Sequence, residues 1–228
     1  MHENQKISLV IPCHDEEKGV VEVIKGTPDI VDEILVVDNN SSDATAVVAE
    51  SLGARVVTEE RIGYGRAYKT GFKAAKGDIL VTVDGDATYP VIAIPYLVAL
   101  LKQEALDFIS VWRIHLDTGF SVENFLRKYG NIGLNLILTG LFGIRLKDSQ
   151  SGMWIFKKEV LESLKLTSDG MSFSEEIKIE AFKNRAIVSR EVPLQFSFRH
   201  RVGNSKLNLW KDGSRNILFL FQKRLNLR

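Results

Sequence analysis

Four short, β-branched apolar runs fall within the first 83 residues: Ile7–Ile11, Ile34–Val37, Arg55–Val57 and Ile79–Val83. Each is followed by a stretch long enough to form a helix, and this alternation constrains the chain more than any other feature. Strands that are apolar throughout are buried on both faces, so the pattern predicts an α/β fold with a mostly parallel central sheet and helices on both faces. In such sheets ligands sit beyond the carboxyl ends of the strands. The polar clusters fall there: Cys13-His14-Asp15-Glu16-Glu17, Asp38-Asn39-Asn40-Ser41-Ser42-Asp43 and Asp84-Gly85-Asp86. Beyond a fifth run at Phe108–Val111 the alternation loosens. The pattern there predicts a helix over 123–143, a strand over Gly152–Phe156, a helix over Ser174–Asn184 and a strand over Val192–Phe198. Residues 1–208 then form one unit, and Leu209–Arg228 a basic amphipathic helix suited to a membrane surface or a partner.

The formal net charge is only +1 over 228 residues, which disfavours a nucleic-acid-coating protein. That total conceals a split. Residues 1–114 hold 11 basic and 18 acidic side chains, whereas residues 115–228 hold 19 and 11. Acidic strand-end clusters account for the front half. A single cysteine, Cys13, rules out an intrachain disulfide and a multi-cysteine zinc site, and fits a cytoplasmic setting. Set at the end of a buried strand, Cys13 reads as a small apolar filler rather than a nucleophile. Residues 1–6 lead into a strand-length run rather than a signal-type core. The longest greasy stretch, Ile132–Ile144, falls short of the roughly 20 residues that span a bilayer.

Asp84-Gly85-Asp86 carries the sharpest chemistry, because two carboxylates flanking a strand-end turn offer hard oxygen ligands to a divalent cation while phosphate oxygens complete its shell. A solvated acidic turn is the bland alternative. Asp38 directly follows a buried strand and is expected to face a ligand. Ser42 and Asp43 are expected to cap a helix that begins near Ala44. Gly63-Tyr64-Gly65-Arg66-Ala67 opens a helix, but it lacks the third glycine and the first-strand position of a dinucleotide fingerprint.

Taken in order, these segments resemble the family-2 glycosyltransferases of GT-A fold, and among them the polyprenyl-phosphate sugar synthases of the dolichyl-phosphate mannose or glucose type. Val10-Ile11-Pro12-Cys13-His14-Asp15-Glu16-Glu17 stands where that family writes V-I-P-x-x-N-E-E. Val36 through Thr45 stands where it writes V-V-D-D-G-S-x-D-x-T, and Asp84-Gly85-Asp86 supplies its D-x-D. Asp148-Ser149-Gln150-Ser151-Gly152-Met153 is similar to its D-x-x-S/T-G-F/M segment. Phe198 through Leu207 is similar to the Y-R-x-R-x-G-x-S-K-L signature of enzymes that use a lipid phosphate. The chain departs from the pattern at Asp15 for Asn, Asn39-Asn40 for Asp-Gly, and Gly85 for the commoner Ala.

The resemblance implies a GT-A-type, Rossmann-like fold and a metal-dependent, inverting hexosyltransferase. Pro12, Asp15, Glu17, Asp38 and Asp84 would bind the nucleotide sugar, GDP-mannose or UDP-glucose, and Asp84 with Asp86 would hold Mg²⁺ or Mn²⁺. Arg113, Arg127, Arg201, Ser205 and Lys206 would surround the acceptor phosphate, with Asp86, Arg113, Arg201 and Lys206 closest to the chemistry. Glu176 aligns with a helical glutamate whose role stays open. The implied acceptor is a polyprenyl (dolichyl) phosphate, an anionic nucleophile that needs cationic positioning more than a general base. Its tail stays in the bilayer, so the enzyme is expected to be peripheral on the cytoplasmic face of a membrane, alone or held there by an anchoring subunit or homo-oligomer. Two alternatives stay open: a polysaccharide or glycan acceptor, and a haloacid-dehalogenase-type phosphatase using Asp84 in D-x-D-x-T. The latter normally carries its motif on the first strand.

Overall fold

The alternation of runs folds as a seven-stranded sheet in the order β3-β2-β1-β4-β6-β5-β7. The structure, a computed structural model, describes residues 5–115, 122–196, 202 and 209–225. The strands are β1 (Ile7–Cys13), β2 (Glu33–Asp38), β3 (Arg55–Thr58), β4 (Ile79–Thr82), β5 (Phe108–His115), β6 (Trp154–Lys157) and β7 (Ser189–Phe196). β6 alone runs against the others, paired antiparallel to β4 on one side and β5 on the other. Its start therefore meets the edge where the other six strands end.

Every strand has period-two side chains, and both faces are covered. Leu9, Ile11, Val36, Val81, Ile109 and Ile155 face one layer of the core. Against them pack α1 (Glu17–Gly26), α2 (Thr45–Ser51) and α4 (Ile94–Gln103). Val10, Leu35, Val37, Leu80, Phe108, Trp154 and Phe156 face the other layer. This second layer is filled by Tyr68 and Phe72 of α3 (Tyr64–Ala74) and Phe173 and Ile177 of α6 (Phe173–Lys183). A third cluster joins α5 (Val122–Phe142) to α7 (Leu209–Arg224), with Leu134, Leu138, Ile179, Phe219 and Leu220 buried together.

Several boundaries differ from the sequence reading: α5 and α6 each begin one residue earlier, and β7 begins at Ser189 rather than Val192. β5 runs on to His115 because Trp112-Arg113-Ile114-His115 pairs in register with Pro193–Phe196 of β7. Gly152 and Met153 lie before β6 rather than in it, since the chain first turns past the site edge. The Ser42 cap is a correction. Asp43 accepts the N–H of Thr45 at 2.9 Å, at the first residue of α2, whereas Ser42 gives its hydroxyl and its N–H to Asp15. The β1 loop reaches Ser42 first.

Candidate active site

The ends of β1 and β2 lie side by side, with Cys13 paired to Asp38, and their loops are laced together by side-chain bonds to backbone amides. The Asp15 carboxylate accepts the Ser42 N–H at 2.6 Å, and Ser41 Oγ accepts the Asp15 N–H at 3.0 Å. Asp43 accepts the Glu17 N–H at 3.1 Å, while Glu17 reaches back to the Ala44 N–H. Asp15 and Asn40 sit at φ 51° and 59°, and Ala87, just past the acidic turn, at 60°. Non-glycine residues there bear roughly 1–2 kcal/mol of strain, least for Asn and Asp with their short polar side chains. Asp15 and Asn40 therefore suit positions where the resembled family writes Asn and Gly. Asp38, nearly buried at 8% exposure, accepts the Ser41 N–H.

Asn39 is a structural clamp. Its amide donates to the Glu59 and Arg61 carbonyls, both at 2.9 Å, and its oxygen accepts the Gly63 N–H at 2.8 Å. Aspartate has no donors for those two carbonyls, which explains Asn at this position. His14 Nδ1 donates to the Asn39 carbonyl at 2.9 Å, closing the wall.

The Asp84-Gly85-Asp86 turn follows β4 in the middle of this edge. Tyr64 and Tyr68, one helical turn apart on α3, point their hydroxyls at Asp84 Oδ1 from 3.1 and 3.4 Å. Burial holds both phenols protonated, well above their ordinary pKa, so they act as donors. Asp86 is 5% exposed and accepts the Thr88 N–H. A Cβ on Gly85 would meet Cys13 Sγ at 2.5 Å. Cys13 is thus the buried filler expected of it, and its sulfur requires glycine where alanine is commoner. Gly85→Ala is expected to destabilise the fold by about 1–3 kcal/mol through overpacking. Combining it with Cys13→Ala should recover most of that loss in a thermal-unfolding double-mutant cycle; strictly additive effects would show that the contact is not the cause.

On the β6 side, Gly152 approaches so closely that a Cβ would lie 3.0 Å from Asp84 Oδ1 and 2.5 Å from the Tyr64 hydroxyl. Tyr89 accepts the Gly152 N–H at 2.7 Å. Four residues earlier, Asp148 forms a two-pronged pair with Arg113 of β5: Nε to Oδ2 at 2.7 Å and Nη2 to Oδ1 at 3.1 Å. Burial alone would raise the Asp148 carboxyl, but the Arg113 guanidinium overrides this and holds it well below the usual range. Arg113, its side chain 30% exposed, is a fixed cation at the site edge.

Beyond the Asp148–Gly152 segment, the stretch after β7 meets the site at Val202, its described residue. Val202 N–H donates to the Asp86 carbonyl at 3.2 Å, and its side chain packs on the core. Arg201, Ser205 and Lys206 lie outside the described residues; Arg127 belongs to α5. The fold thus gathers Pro12, Asp15, Glu17, Asp38, Asp84, Asp86 and Arg113 at one edge. Glu176, completely buried, accepts the Thr167 and Ser168 N–H groups and pairs with Lys223 of α7 at 2.9 Å. Its role is to fasten α7 and a loop to α6.

Among the described residues no three His, Cys, Asp or Glu side chains converge as a metal cage. Asp84 and Asp86 offer two carboxylates, a donor set that fits a hard divalent ion sharing its shell with a diphosphate. Tyr64, Tyr68 and Tyr89 were not singled out from the sequence. The i, i+4 spacing of the first two is visible there, but their common target is not.

Residues 8–165 match the sequence model for glycosyl transferase family 2. A low-salt glycan biosynthesis hexosyltransferase of Haloferax volcanii is 27% identical over 94% of the chain, which spans only 52% of that protein. A dolichyl-phosphate hexose transferase of the same organism is 29% identical, over 91% of this chain and 89% of its own length. Among solved structures, glucosyl-3-phosphoglycerate synthase from Mycobacterium tuberculosis, in complex with Mn²⁺, UDP-glucose and phosphoglyceric acid, superposes with a TM-score of 0.77. That likeness is at 26% identity and covers 97% of this chain and 80% of the synthase chain.

Proposed function

The chain belongs to glycosyl transferase family 2, and from that premise we propose that it transfers a hexose, with inversion, from a nucleoside-diphosphate sugar to a polyprenyl phosphate. The observation that carries this reading is the bond from Val202 N–H to the Asp86 carbonyl. Val202 belongs to the stretch whose sequence resembles the lipid-phosphate signature, which supports an acceptor phosphate meeting the donor diphosphate near the carboxylate turn. The dolichyl-phosphate hexose transferase likeness supports the acceptor class.

In this reading Pro12, Asp15, Glu17 and Asp38 line the nucleotide end of the pocket. Asp84 and Asp86 hold Mg²⁺ or Mn²⁺, which when bound neutralises charge on the departing diphosphate. Tyr64 and Tyr68 orient Asp84. Arg113, already fixed by Asp148, needs little reorganisation to face an anion. It joins Arg127, Arg201, Ser205 and Lys206 around the acceptor phosphate. That phosphate brings its own nucleophilic oxygen, so no carboxylate base is required, and attack opposite the leaving diphosphate inverts the anomeric carbon.

Among the described residues no helix is long and apolar enough to cross a membrane. Tyr129, Ile132 and Leu136 on α5, Leu218 and Phe221 on α7, and Leu225 just after it are nonetheless exposed. Arg145, Arg215 and Arg224 are exposed near them. Apolar stripes with basic neighbours suit the cytoplasmic face of an anionic bilayer, where the acceptor's tail resides.

The test is incubation of purified protein with Mg²⁺ or Mn²⁺, a polyprenyl phosphate and a panel of labelled sugar nucleotides. Label carried into the organic phase from one donor is the expected result. Transfer only to a small phosphorylated acceptor or a glycan would overturn the lipid half of the proposal, and phosphate release without any sugar nucleotide would overturn all of it.

A further inference from the structure

Glu175, beside the anchoring Glu176, is completely buried, and its Oε2 has no hydrogen-bond partner. Its other oxygen accepts the side-chain amide of Gln150. The Gln150 carbonyl in turn accepts the amide of Asn216 from α7 at 3.4 Å. One carboxyl on α6 therefore ties the Asp148–Met153 segment to α7. The surrounding charges bear on its state. Lys178, also on α6, donates to the Asp148 carbonyl at 2.8 Å; Arg113 of β5 pairs with the Asp148 carboxylate; Glu191 of β7 accepts the Lys147 and Asp148 N–H groups. Two cations and two carboxylates balance. A fifth charge on Glu175 would leave this cluster net negative, with one oxygen unpaired.

We propose that Glu175 is a positioning residue for the Asp148–Met153 segment, holding it to α7 through Gln150 and Asn216 while it carries its proton and loosening that joint when the proton is lost. The proposal rests on the glycosyl-transfer reading for its consequence, because this segment brings the Asp148–Arg113 pair and Gly152 to Asp84. Burial pushes the Glu175 carboxyl up to about 7, outweighing the Gln150 and Asn216 amides, which by themselves favour the ionised form, and pushes the Lys178 ammonium down to about 8. A carboxyl more basic in the closed form than in an opened one favours closure at acid pH. Opening therefore increases as pH rises from the ordinary carboxylate range toward 7, and levels off above it.

Hydrogen–deuterium exchange of the full chain tests this without any substrate, so it stays informative even if no transfer is found. In peptides covering 148–153 and 213–225, exchange corrected for intrinsic rates should be on the order of tenfold faster at pH 7.5 than at pH 5.5. Glu175→Gln and Glu175→Leu should each remove that acceleration, and either variant suffices if the other fails to fold. Wild-type rates equal at the two pH values would overturn the proposal. So would an acceleration that persists in the variants, which would assign it to Lys178 or Glu191.

Discussion

Asp86→Ala is expected to lower metal-dependent transfer by about a hundred- to a thousandfold, the scale on which loss of transition-state charge stabilisation acts. The protein should remain folded. Asp86 is 5% exposed, and its bonds to Thr88 hold a single turn, so their loss is worth about 1–2 kcal/mol. The two measurements are kcat/KM for the sugar nucleotide under saturating Mn²⁺ and the thermal midpoint without substrate. A variant within tenfold of wild-type activity would remove the metal role from this turn. An inactive variant with a much lowered midpoint would instead show that Asp86 serves the fold.

Asp148→Ala should have the largest effect on stability. Removing the carboxylate leaves the Arg113 guanidinium and the Lys178 ammonium without their shared counter-charge, and breaking a buried pair from one side costs about 3–5 kcal/mol. For a chain of 228 residues this lowers the midpoint by about 10 °C. The pH dependence has a definite sign. A carboxyl held below its unfolded pKa contributes stability above that unfolded value and loses it as pH falls through the folded one. Wild type should therefore lose its advantage over Asp148→Ala in strong acid. A midpoint difference that stays constant from neutral pH down to the acid transition would show that the charge pair is not what stabilises this region.

Much of this arrangement is legible in the sequence because it is local. A strand-end cluster needs only an apolar run and the polar residues after it, which is why Asp15, Asp38, Asp84 and Asp86 could be named before their neighbours were known. What was not legible depends on distant partners. Arg113 could be named from the sequence, but not that β5 extends through it along β7 nor that Asp148, 35 residues on, supplies its counter-charge. Asn39 looks like a departure from Asp-Gly until the Glu59 and Arg61 carbonyls come within reach. Of the adjacent glutamates, Glu176 drew attention and Glu175 did not, because burial on every side of α6 leaves no periodic trace in two neighbouring charges. The direction of β6 was equally silent: four apolar residues read the same either way.

The reversed β6 also says how enzymes of this architecture can diversify. β5 ends and β6 begins at the same edge of the sheet, so the chain between them, residues 116–153, leaves and returns at the pocket without altering any strand pairing. It is an excursion clamped at both ends, free to lengthen, shorten or change its helix while the donor-side loops of β1, β2 and β4 stay as they are. A new acceptor can therefore be accommodated by grafting one segment, with the half of the molecule that grips the sugar nucleotide inherited unchanged.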